Sequence, residues 1–338
     1  MPMTGMPHEG AAQDFLGRHT ALSLLQQKPN IWRRIPYLRE NEGRAPPIVL
    51  AVGDRRRVYS IASQLHKPVL LPETAANIAN PQRHSKHIPS PVFGRTAMAI
   101  GTFSSVPVFI VETQMGSSAT QIILNEILSD QLTSDEYSIG HRRTRLDHKI
   151  VIRIGTAGGI NCGRAPRIRV GDIVNATHSV GATGAIMQTL SRVDFWRPEV
   201  SRKFKHKWLN LGPDFTITRG GHPRVECSRE VVEAIDSAGT RLIKNAYRRA
   251  GNITKDSLYA ELSDTVFLEL CRTENCRTTE MELSQVAVAA HAHEAAFGMI
   301  SAIVGVLPGS SFAGRQKLRA VAEERAVRIG LEALAYLI

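Results

Sequence analysis

Ile150-Val151-Ile152-Arg153-Ile154-Gly155-Thr156-Ala157-Gly158-Gly159 is the stretch whose reading decides the fold. Four apolar β-branched residues enclose one arginine, and a glycine-rich segment with a single threonine follows. A continuous apolar run of this length has the character of a strand buried on both faces of a sheet. The glycines predict a turn at its end. Arg153 stands inside the run, and a guanidinium is costly to desolvate without an anionic partner, so something negative is expected beside it. Gly155 and Thr156 add a flexible backbone and a hydroxyl donor, groups that can complete an anion cradle.

The pattern extends in both directions. Upstream, Ile48 to Val52 is a second short apolar run that stops at Gly53-Asp54, and Val58 to Leu65 reads as a helix. Gly53 to Arg57 thus fall on a strand-to-helix turn, where backbone N–H groups face an anion. Thr96 to Ile100 and Val106 to Val111 read as a hairpin turning near Ser104-Ser105. Ser117 or Ser118 is the expected cap of a helix with Ile122, Ile123, Ile127 and Leu128 at helical spacing. Thr133 to Lys149 is polar and basic, and reads as an exposed insertion.

Downstream, Asp172 to Thr177 is a further strand, and Ser191 to Asp214 is irregular. Cys227 to Ile243 is a helix capped by Ser228, and Val266 to Leu270 belongs to another. Glu280 to Ala296 reads as a long Ala-rich helix, Phe297 to Leu307 as a buried strand, and Gln316 to Ile338 as an amphipathic closing helix. Strands alternating with helices, without a low-complexity linker, argue for one α/β layer domain over 46–338, preceded by an N-terminal arm over 1–45.

Composition narrows the partners. The chain of 338 residues carries 42 Lys and Arg against 31 Asp and Glu, a net charge of +11, which favours anionic ligands. The basic residues cluster at Arg55 to Arg57, Arg142 to Arg145 and Arg164 to Arg169 without the interleaved aromatics that stack single-stranded bases, which argues against nucleic acid. No apolar run approaches the roughly 20 residues of a membrane span, so no membrane association is expected. Four scattered cysteines make neither a disulfide framework nor a paired zinc motif, and point to a reducing, cytoplasmic setting.

Several strings, taken in order, resemble the nucleoside phosphorylase family, and most closely its uridine phosphorylases. They are Val49-Leu-Ala-Val-Gly-Asp54 with Arg57, Met115-Gly-Ser-Ser118, Arg153-Ile-Gly-Thr-Ala-Gly-Gly-Ile160, Val170-Gly-Asp-Ile173, Glu280-Met-Glu282 and Gly298-Met299, with the closing Glu323 to Leu337 helix. The resemblance spans Pro46 to the C-terminus. It implies a single three-layer α/β/α domain with a mixed central sheet. It also implies phosphorolysis, in which inorganic phosphate attacks the sugar C1′ of a nucleoside to give free base and pentose 1-phosphate. Neither an organic cofactor nor a metal is required; phosphate is the co-substrate.

By the same resemblance Gly53, Arg57, Arg153 and Thr156 bind phosphate, joined by Arg95 from a neighbouring subunit, so a homodimer or homohexamer is implied. Thr113, Glu280, Met281 and Glu282 line the ribose site; Arg153 and Glu282 are the expected catalytic pair. Glu282 holds and polarises the sugar while the arginines align an anionic nucleophile against an oxocarbenium-like centre. Gly158, Leu258 and Tyr259 are expected at the base. There the chain departs from the family: Leu258 holds an aromatic position, the glutamine and arginine that read uracil are missing, Gln114 replaces a glycine, and Gly305-Val306-Leu307 lacks the acidic residue of purine enzymes. Uridine or a related pyrimidine nucleoside is the expected substrate. The alternatives are a weakly active paralogue serving as partner subunit or ligand sensor, and a purine nucleoside phosphorylase or nucleosidase.

Overall fold

The computed structural model describes residues 46–70, 96–128, 136–139, 142–145, 149–162, 166–182, 215–218, 221–243, 245–256, 265–307 and 315–338. At its centre β1 (Ile48–Val52) lies parallel to and between β4 (Val106–Glu112) and β7 (Lys149–Ile160). Successive side chains of a strand point to opposite faces, and here both faces are apolar. Ile48, Leu50, Val52, Ile150, Ile152 and Ile154 form one core with α1 (Arg55–Ala62), α3 (Arg229–Leu242) and α6 (Gln316–Ala333). Val49, Ala51 and Val151 form another with α2 (Ser117–Ile127) and α5 (Leu283–Ala292). The result is a mixed sheet between two helical layers, the expected α/β/α domain.

The sheet continues from β1 and β4 through β3 (Met98–Phe103) to β2 (His66–Leu70). Beyond β7 come β12 (Cys276–Glu280), β11 (Tyr247–Lys255), β8 (Ile173–Ala182), β10 (Pro223–Glu226) and β9 (Phe215–Ile217). The long β13 (Ala295–Leu307) pairs parallel with β7 and antiparallel with β8. Strands β7, β12, β11, β8 and β13 therefore close on one another as a ring.

Several expectations are corrected. The segment Gly155 to Gly159 is not a turn: it continues β7, with Gly158 and Gly159 paired to Thr279 and Thr278 on one side and to β13 on the other. Glu280 ends strand β12, and the helix begins only at Leu283; the alanine-rich composition masked a strand and a tight turn before it. Neither Ser117 nor Ser118 caps α2, whose N-cap is Gly116, and Ile122 on that helix is exposed. Within 133–149, strands β5 (Glu136–Ile139) and β6 (Arg142–Arg145) form a hairpin. Lys149 is buried at the start of β7, with its Nζ donating to Leu128 O. The N-terminal arm lies outside the described residues, as does Ser191 to Asp214.

Candidate active site

Ligands of α/β sheets bind beyond the carboxyl ends of the strands, and here β1, β4 and β12 each lead into the N-terminus of a helix, α1, α2 and α5. Asp54 caps α1, its Oδ1 accepting from Arg57 N at 3.1 Å. Gly116 and Glu282 are the N-cap residues of α2 and α5. The two helices are tied together: Gly116 N donates to Glu282 Oε1 at 2.8 Å, and Ser117 Oγ donates to Met281 O at 3.0 Å. The partial positive charge of such termini favours an anion.

Arg153, only 3% exposed, crosses the floor of this meeting point. Its Nη2 donates to Glu282 Oε2 at 2.5 Å, its Nη1 to Thr113 Oγ1 at 3.3 Å, and its Nε lies 3.8 Å from Glu280 Oε2 without a hydrogen bond. The negative partner that the sequence demanded is thus supplied by the chain itself. Arg153 still has unused donors, because five N–H groups radiate from a guanidinium.

Gly53 lies beside both arginines. A Cβ on Gly53 would stand 3.4 Å from Arg153 Nη2 and 3.7 Å from Arg57 Nη1, so two guanidiniums converge on a space kept open by a glycine. Arg57 is held in place by Asp54 Oδ2 at 3.3 Å and Glu323 Oε2 at 3.5 Å.

Glu280 lies behind this arrangement and supports it. Its Oε1 accepts from Asn252 Nδ2 and Thr254 Oγ1, both at 2.7 Å; its Oε2 accepts from the N–H groups of Glu282 at 2.8 Å and Leu283 at 2.9 Å. One carboxylate therefore fixes the start of α5. Burial, and next the charge of Glu282, push its pKa up to about 7 against the pull of Arg153, Thr254 and Asn252.

Gly53, Arg57, Arg153, Thr156, Gly158, Glu280, Met281 and Glu282 all line one cavity of about 200 Å³. That is smaller than the roughly 300–1,000 Å³ of drug-sized sites and suits a small molecule, not a polymer. Thr113 is placed differently from the expectation: it is fully buried behind Arg153, its hydroxyl within reach of Val52 O. Arg95, Leu258 and Tyr259 lie outside the described residues. His291 and His293 fall at the far end of α5 from Glu282, where His293 Nε2 meets Asn125 Oδ1. Two polar residues of the wall, Lys255 and Thr279, escaped the sequence reading because neither β11 nor β12 was recognised as a strand. A signal was present, since Lys255 stands three residues before Leu258, which the resemblance places at the base. Among the described residues no group of three or more His, Cys, Asp or Glu is placed to hold a metal ion.

Residues 69–335 match the profile of the phosphorylase superfamily, and the chain belongs to that family. Solved structures share its fold at low identity. A uridine phosphorylase from Vibrio fischeri ES114, complexed with 6-hydroxy-1-naphthoic acid, is 15% identical with a TM-score of 0.56, the match covering 86% of this chain and 92% of that one. A Toxoplasma gondii purine nucleoside phosphorylase in complex with immucillin-H is 20% identical with a TM-score of 0.57, over 86% and 91%. A 5'-methylthioadenosine/S-adenosylhomocysteine nucleosidase from Neisseria meningitidis is 15% identical with a TM-score of 0.55, over 85% and 97%. No curated protein sequence matches the chain.

Proposed function

We propose that the chain catalyses reversible phosphorolysis of a nucleoside, with uridine or a related pyrimidine nucleoside as substrate. The observation that carries this reading is the convergence of Arg57 and Arg153 on the open space over Gly53. Phosphate seated there is flanked by two guanidiniums and the N-terminus of α1, with the Thr156 hydroxyl on the same wall. Met281 and Glu282 neighbour that space and hold the pentose. A phosphate oxygen forms a bond to C1′ as the C1′–N bond breaks, and the base leaves with the electron pair. Glu282 polarises the sugar hydroxyls while positive charge develops on the ring. The working enzyme is a cytoplasmic homodimer or homohexamer in which Arg95 of a second copy completes the phosphate site.

One observation favours a weakly active paralogue as the second reading. Both carboxylate oxygens of Glu282 are already held, by Gly116 N and by Arg153, so a sugar has to share them.

A nucleoside panel incubated with and without phosphate tests the activity. Base released only with phosphate supports phosphorolysis, release without it makes the protein a nucleosidase, and no release in either arm leaves the paralogue. Calorimetry tests the anion site separately. Arg57→Ala and Arg153→Ala are each expected to weaken phosphate binding by about 2 kcal/mol, the scale of a charge-assisted hydrogen bond. Equal affinity in wild type and Arg57→Ala would remove phosphate from this site.

A further inference from the structure

The cavity extends past Met281 to a buried polar pair. Lys255 ends β11 and Thr279 lies in β12; both line the cavity, 5% and 4% exposed. The two strands run parallel with Ile253 opposite Thr279 and Thr254 opposite Glu280. Thr254 and Glu280 meet on one face through their 2.7 Å hydrogen bond, so alternation along the strands turns Thr279 and Lys255 to the other face together. Thr279 also stands opposite Gly158 of β7, where an added Cβ would come to 3.3 Å from Thr279 Cγ2. Gly158 therefore keeps this end open.

The chemistry of the pair is specific. An ammonium donates hydrogen bonds and accepts none. The Thr279 hydroxyl is buried without a hydrogen-bond partner, a state that costs free energy. The wall beside them, Val304 to Leu307, is apolar side chain and glycine. A flat ring with carbonyl oxygens at its edge fits such a surface. A ring bearing an amino group there sets donor against donor.

Resting on the phosphorolysis proposed above, we infer that Lys255, with Thr279, is the base-reading residue of this site and selects nucleosides whose bases carry oxo groups over those carrying amino groups. As the C1′–N bond breaks, its electron pair passes to the base and the negative charge spreads to the ring carbonyls. The Lys255 ammonium stabilises that charge by a hydrogen bond without giving up its proton, and the base takes a proton from water after release. Lys255 thus fills the place of the missing glutamine and arginine.

The test compares the full chain with Lys255→Met, Lys255→Arg and Thr279→Val on uridine, cytidine, inosine and adenosine with phosphate. Wild type is expected to favour each oxo base over its amino counterpart by about 10²-fold or more in kcat/KM, as a site built to pair a polar edge does. Lys255→Met is expected to lower that ratio at least tenfold, and Lys255→Arg to keep most of it. 5-Fluorouridine, whose base leaves more readily as an anion, is expected to lose less than uridine in Lys255→Met; a merely structural lysine would depress both equally. Calorimetry with free uracil, cytosine, hypoxanthine and adenine reads the same selection without turnover. If phosphate-dependent cleavage persists and Lys255→Met keeps the wild-type ratio, the base-reading role is overturned and phosphorolysis stands. If no nucleoside is cleaved, phosphorolysis falls, and the base-binding ratios alone decide Lys255: loss of the preference in Lys255→Met supports the role, and unchanged ratios overturn it.

Discussion

At Glu280 burial and hydrogen bonding pull in opposite directions. Its carboxylate receives four donors, yet desolvation and the nearby Glu282 raise its pKa to about 7. A raised carboxylate pKa means that the folded state holds the proton more tightly than the unfolded chain. Its contribution to stability is therefore complete below about pH 4.5 and is lost as pH rises through about 7. Each tenfold difference in proton affinity between the two states is worth roughly 1.4 kcal/mol, so the loss across that window is on the order of 3 kcal/mol. Urea unfolding of wild type should show stability falling between pH 5 and pH 7.5, and Glu280→Gln should flatten that slope. Parallel pH profiles for the two proteins would mean that Glu280 is ionised throughout, as its four donors alone would make it.

Elements were legible in the sequence wherever an apolar period was strong. β1, the first half of β7, α3 and β13 emerge from continuous or helical apolar spacing, and Arg153 was conspicuous because it broke such a run. β11 and β12 were not legible: Tyr247–Lys255 and Cys276–Glu280 are polar sequences, yet nearly all their residues are buried. Their polar side chains satisfy one another across the ring, through Asn252, Thr254, Thr278 and Glu280, a pairing that no single-strand pattern reveals. The phosphate half of the candidate site was therefore readable, while Lys255 and Thr279 were hidden with their strands. Packing at the opposite end of β11 sets a second test. A Cβ on Gly239 of α3 would lie 2.6 Å from Cδ2 and Cζ of Tyr247, whose hydroxyl is anchored to Asp236 Oδ1 at 2.6 Å. Alanine gains about 1 kcal/mol over glycine in a helix interior, whereas overpacking of this kind costs about 1–3 kcal/mol. The anchored ring has little freedom to yield, so the clash should win. Gly239→Ala is expected to lower the melting temperature, and a rise would show that Tyr247 moves aside freely.

Across the whole molecule, the cavity wall draws on strands and helix starts from Gly53 to Leu307, so its geometry depends on the complete ring of strands and not on one motif. The proposed phosphate site depends on more than one chain as well, if Arg95 reaches it from a second copy. Sedimentation should then find a dimer or larger assembly at micromolar concentration. Mixing supplies the sharper test. Arg57→Ala and Arg95→Ala homodimers each lack one arginine at every site, but in a two-fold symmetric heterodimer one site receives Arg57 from its own chain and Arg95 from the other. Random exchange at equal amounts makes half the dimers mixed, each with one intact site of two, so about a quarter of the wild-type sites should return. At a phosphate concentration that leaves the separate variants largely unloaded, phosphorolysis is accordingly expected to recover to about a quarter of the wild-type rate after the two weakened variants are unfolded and refolded together. Activity no higher than the sum of the separate variants would place Arg95 at its own chain's site or outside any site.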